Sequence, residues 1–144
     1  MRKDVALMLI LLILFFFMNI NNAEADMITL LGPVYVSKNH QLPAEKKSVF
    51  NFSASNPGEG VIIVRNGGDS GKDHRVGSAS IILNGLEVAG PMDFNKNVDV
   101  LQYNVTFEPE NEMDVVVRSC RDCEIEISVL AENSAPERPA RPGF

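Results

Sequence analysis

Two cysteines, Cys120 and Cys123, sit inside VVVRSCRDCEIEISVL and are the whole thiol complement of a 144-residue chain. Their spacing suits three chemistries: a redox pair, half of a metal clip, or a staple across a turn. A thioredoxin-type pair opens a helix, whose positive end stabilises the thiolate. Here strand-like alternation flanks both cysteines, and Asp122, Glu124 and Glu126 oppose the help that Arg118 and Arg121 give a thiolate. A tetrahedral zinc needs two further ligands, and the imidazoles of His40 and His74 are remote in sequence. The histidine that haem attachment requires directly after such a pair is missing. Outside the cytosol two neighbouring thiols oxidise to each other, so a Cys120–Cys123 disulfide is expected. The ring is tiny, and chain entropy caps its worth at about 2 kcal/mol.

The most polar, glycine-rich stretch is NGGDSGKDH, residues 66–74. Hard oxygens from Asn66, Asp69 and Asp73 suit Ca²⁺, which takes six to eight oxygen ligands. The spacing is not that of an EF-hand, and Lys72 and Arg75 add opposing positive charge, so a plain loop is the competing expectation. Asp73 beside His74 resembles half of an acid–base relay without a nucleophile. Asn104-Val105-Thr106 is a glycosylation acceptor in a host that glycosylates. Asp93, Asp99, Glu108, Glu110 and Glu112 supply carboxylates, but glycoside hydrolysis needs two of them across a cleft. No nucleophile elbow, zinc-protease helix, phosphate loop or dinucleotide loop occurs. The chain also lacks tryptophan, which weakens an aromatic platform for glycans.

The elements that must position these residues begin after a leader. Arg2 and Lys3 precede an apolar run from Val5 to Met18, and Ala23-Glu24-Ala25 follows as a small-x-small cleavage pattern. This is the anatomy of a signal peptide over residues 1–25, and the run is shorter than a bilayer span prefers. The remainder is then periplasmic or secreted, with no membrane span after cleavage. It carries 11 basic and 17 acidic residues, a net charge of −6. Without a basic cluster, nucleic acid is not an expected partner.

Residues 26–131 read as one domain of short Val-, Ile- and Phe-rich runs punctuated by Gly, Asn and Pro. Strands are expected over 27–31, 34–37, 47–54, 60–65, 76–83, 86–89, 98–107, 113–119 and 125–130. Period-two alternation in these runs belongs to half-buried antiparallel strands. Asn84-Gly85 between SIIL and LEV specifies a type I′ hairpin, pairing Leu83 with Leu86 and Ile81 with Val88 on one buried face. A second hairpin is expected to carry the cysteines at a wet tip. Its loop is centred on Asp122, so that Val117 pairs with Ile127 and Val115 with Val129. Residues 132–144 form a proline-rich tail expected to be flexible.

The stretch from VGSASIILNGLEVAGPMDFNKNV to the closing alternation resembles a small β-rich module of bacterial secreted and cell-surface proteins. Ser78, Ala79, Leu83, Asn84, Gly85, Val88, Gly90, Pro91, Asp93, Phe94, Asn95 and Val98 carry the likeness, followed by Asn111, Met113, Val115 and Val117. The resemblance implies a non-enzymatic accessory or binding domain and brings no assigned activity. Where such modules have a Gly/Pro turn, this chain has its cysteine pair.

The expectation is therefore an all-β, antiparallel β-sandwich or jelly roll of about seven to nine strands. Its role is that of an exported, non-enzymatic accessory, adhesion or ligand-binding module of the bacterial envelope, with a protein or glycan partner. No cofactor is expected, calcium at Asn66, Asp69 and Asp73 excepted. Three other readings compete. One is a structural subunit pairing through strand edges such as 34–37, which a proline, charge or bulge there would argue against. The others are a small extracytoplasmic hydrolase and a thiol redox protein.

Overall fold

The computed structural model describes residues 26–38, 47–118 and 122–133. The leader 1–25, Cys120 and the tail from residue 134 lie outside them. Eight strands form: β1 (Met27–Ser37), β2 (Ser48–Ser53), β3 (Gly58–Asn66), β4 (Ala79–Leu83), β5 (Leu86–Ala89), β6 (Val100–Phe107), β7 (Glu110–Val117) and β8 (Glu124–Glu132). They make two four-stranded antiparallel sheets, β1-β8-β3-β6 and β2-β7-β4-β5. The molecule is an all-β sandwich. Short 3₁₀ turns at Gly68–Ser70, Lys72–His74 and Pro91–Asp93 are its helical elements among the described residues.

Alternation built the core. Val115, Val117 and Met113 from β7 meet Ile125, Ile127 and Val129 from β8, all at most 5% exposed. Phe52 and Phe107 pack edge-to-face with centroids 5.8 Å apart. Gly60 opposes Val105 across the ladder, and a Cβ there would strike the Phe107 ring and the Leu130 carbonyl. That close approach is what a glycine inside a strand provides.

Two expectations about the strands are corrected first. The inward sets of β7 and β8 are as expected, but the strands are not a hairpin. β7 pairs with β2 and β4, and β8 with β1 and β3, so the cysteine-bearing link crosses between sheets. Val117 and Ile127 share the core without sharing a ladder. The two expected strands over 27–31 and 34–37 are one strand, offset at the cis Gly32–Pro33 bond by register shifts. As a sheet edge, β1 is thus interrupted by the proline and bulge that argue against pairing there.

The Asn84-Gly85 turn forms with φ of 50° and 81°, and Leu83 pairs with Leu86 as expected. Below it a bulge sets Ile81 against Ala89, so Val88 is the extra residue and not the partner of Ile81. Leu86 is not buried with its partner, being 75% exposed. β5 is a four-residue edge strand, and the facing sheet does not cover its tip.

Candidate functional site

A cleft of about 530 Å³ opens where that cover ends. One wall is the β4–β5 hairpin, with Leu83, Leu86 and Val88; the other is β6, with Tyr103 and Val105. Asn84, Glu87, Gln102, Asn104, Thr106 and Glu108 supply its polar groups. The cause is a mismatch in length. β6 has eight residues and ends its sheet, as the four-residue β5 ends the other. The inward residues Leu101, Tyr103 and Val105 are therefore only half-buried, while Phe107 beyond them is buried.

Tyr103 is the chemically notable member. Its hydroxyl is buried with no hydrogen-bond partner among the described residues. Burial pushes it up to about 12, and the nearby Asp93 carboxylate adds to the rise through its charge and a contact with the hydroxyl. Both ionisable groups in the lining other than this phenol are acids, Glu87 and Glu108, and the lining holds no basic residue.

The hairpin wall is held by two asparagines. The Asn84 amide nitrogen donates to Asn111 Oδ1 at 2.9 Å, and Asn84 Oδ1 accepts the Glu112 N–H at 2.9 Å. Asn111, 4% exposed, accepts the Glu108 N–H and donates to the Glu108 carbonyl. The clasp fixes the turn to the start of β7. The other motif residues are equally structural: Asp93 Oδ2 accepts the Gly90 N–H at 2.8 Å, and Phe94 plugs the core at 2% exposure.

The expected calcium ligands are not brought together. Asn66 is 2% exposed and turned inward. Its Oδ1 accepts the Val76 N–H at 2.7 Å, and its amide nitrogen reaches the carbonyls of Val76, Asn95 and Val98 at 3.1–3.2 Å. Asp69 lies outside, accepting the Tyr35 hydroxyl at 2.9 Å and facing Arg65 at 3.4 Å. That hydrogen bond holds the Tyr35 hydroxyl above its ordinary range. Arg65 also pairs with the 8%-exposed Glu126 at 2.7 Å. Asp73 is exposed, and no cluster of three or more His, Cys, Asp or Glu side chains suited to a metal occurs among the described residues.

The loop is instead tied to β8. Ser70 Oγ donates to Glu124 at 2.8 Å, the Gly67 N–H donates to the Glu124 carbonyl, and His74 Nδ1 meets the Asp122 carbonyl oxygen. The His74 ring is thus engaged with backbone. Cys123 is 2% exposed, in place of the wet hairpin tip expected for it, with Sγ 3.1 Å from the Arg75 carbonyl oxygen. No cysteine among the described residues is a free thiol. Cys123 precedes a strand, so a helix start is not what flanks it on that side.

Among the expected carboxylates, Asp99 pairs with Arg75 at 2.7 Å and Glu110 accepts the Ser53 hydroxyl at 2.8 Å. Glu108 lines the cleft. Asn104 is exposed on β6 at the same cleft. The seam is not among the sites expected from the sequence. The available signal was the disparity between the short LEVA strand and the long VLQYNVTF strand.

No family model matches the sequence, and no curated protein matches it. Among solved structures the chain is similar to a family 35 carbohydrate binding module from an environmental isolate. The two share 14% identity with a TM-score of 0.38, over 78% of this chain and 90% of that one. A likeness of that size says nothing about what this chain binds.

Proposed function

We propose that this chain is an exported, non-catalytic β-sandwich that binds a ligand in the β5–β6 cleft, as an accessory or adhesion module of the periplasm or cell exterior. The observation that carries the reading is the cleft itself. It combines apolar Leu83, Val88 and Val105 with six polar side chains beside the Tyr103 ring. Mixed apolar and hydrogen-bonding linings are what ligand sites offer. The acidic rim disfavours anions, so a neutral or cationic ligand fits. The leader pattern and a Cys120–Cys123 staple belong to the same reading, since both suit an oxidising compartment.

The chain has two tyrosines and no tryptophan, which makes a clean optical test. In a Tyr35→Phe variant the remaining tyrosine fluorescence comes from Tyr103. Titration with neutral oligosaccharides and with short peptides of either charge should change that emission saturably for at least one class. A flat response across the panel, with Tyr103 emission unmoved, contradicts the cleft as the site.

A further inference from the structure

The cleft is also the flank of an unprotected strand edge. β1, β6, β2 and β5 end the two sheets, and exposed edges are ordinarily blunted by proline, charge, bulges or shortness. β1 is broken at Gly32–Pro33. β5 has four residues, a bulge, Glu87 and a following Pro91. β2 has six residues and starts beside Lys47. β6 has eight, VLQYNVTF, without a proline, glycine or charged residue, and its ladder with β3 has no register shift.

The ladder fixes which backbone groups β6 leaves over. The Asn66 N–H donates to the Asp99 carbonyl at 2.7 Å, so 66 and 99 are a hydrogen-bonded pair. Antiparallel alternation then spends the N–H and C=O of Leu101, Tyr103, Val105 and Phe107 on β3. The Gly67 N–H to the Glu124 carbonyl gives the complementary parity on the β8 side of β3. Val100, Gln102, Asn104 and Thr106 therefore aim their N–H and C=O away from the sheet, along the seam.

We propose that the seam takes an extended, positively charged peptide segment of a partner protein, added as a strand to the free edge of β6. Main-chain bonds come from residues 100, 102, 104 and 106, and alternate side chains of the incoming strand enter the cleft beside Leu83, Leu86 and Tyr103. This is strand addition with a side-chain pocket. Charge selects the occupant. The chain is acidic, and Glu87 and Glu108 rim the cleft. A second copy fits less well. Pairing two β6 edges would bring the acidic Glu87 and Glu108 of both copies to one seam. Lysine or arginine in the incoming strand removes that conflict.

The inference rests on the cleft being the binding site, and the test separates the two. The probe is a capped octapeptide of alternating valine and lysine, titrated into the purified protein with amide exchange followed residue by residue. Binding should slow exchange at Gln102, Asn104 and Thr106 by about tenfold or more. Asn104→Pro deletes an edge N–H that β3 does not use and should weaken binding about tenfold more than Asn104→Ala, which loses the side chain but keeps that N–H. Should Asn104→Pro not fold, the same peptide N-methylated on alternate residues serves, and it too should lose about tenfold. Equal binding by the N-methylated peptide, or by a glutamate-for-lysine peptide, overturns the proposal. Concentration-dependent protection of the same amides without peptide also overturns it, in favour of a second copy. Cellohexaose shifting Tyr103 while the peptide does not overturns strand addition and leaves the cleft standing. Silence from both overturns both.

Discussion

The loop at residues 66–76 and the edge strand β6 make opposite impressions in sequence and in space. The loop is rich in glycine, acid, amide and imidazole, the groups of a binding site. In the folded chain those groups are largely spent on partners elsewhere in the protein. Asn66 satisfies four backbone partners, Ser70 holds Glu124, and Asp69 holds Tyr35. β6 has no charged residue, yet half its backbone remains unspent along the cleft. Polarity in a sequence measures bonding capacity; what a site requires is capacity left over after folding.

The largest break in this comparison is Asn66→Ala. It removes four hydrogen bonds from a residue that is 2% exposed and strands buried backbone groups. Urea unfolding should show a loss of about 3 kcal/mol or more at unchanged m-value. Calcium should not restore it, and affinity at the cleft, measured where the variant is folded, should hold. An intermediate effect is expected of Asn111→Ala, which unclasps the hairpin wall. A loss of about 2 kcal/mol in the same assay should come with weaker cleft binding, because Asn111 anchors Asn84.

Tyr103 sharpens the comparison by pH. Its folded value is raised to about 12 from 10, so the unfolded chain ionises first. Stability from this group is complete below pH 10, falls as pH rises from 10 toward 12, and levels off beyond. In a Tyr35→Phe background, phenolate absorbance should appear near pH 12, whereas a midpoint near 10 would mean an open, solvated phenol. The smallest stability effect belongs to Leu86→Ser. The side chain is 75% exposed, so unfolding should shift by no more than about 0.5 kcal/mol. Ligand affinity should still fall, because Leu86 lines the cleft.

Much of the sandwich was legible because period-two alternation assigns faces. Val115, Val117, Ile125, Ile127 and Val129 were identifiable as inward, and Asn84-Gly85 as a turn whose two residues accept positive φ. Alternation does not assign partners. A residue facing the core from β7 looks the same whether β8 lies beside it or across from it, which is why a sheet crossing was mistaken for a hairpin. Leu86 was misjudged for a related reason: its pairing with Leu83 is local, but its exposure depends on how far β6 and β5 overlap. Asn66 depended on Val76, Asn95 and Val98, residues brought to it only by the closed fold. The cleft was illegible for the same reason, being a difference between the ends of two sheets.

Amide exchange of β6 in the free protein tests the open edge most directly. Leu101, Tyr103 and Val105 should be strongly protected through β3, while Gln102, Asn104 and Thr106 between them exchange fast, giving a strict alternation along the strand. Uniform protection of all six would mean that something already pairs with this edge, and the seam would not be free to bind.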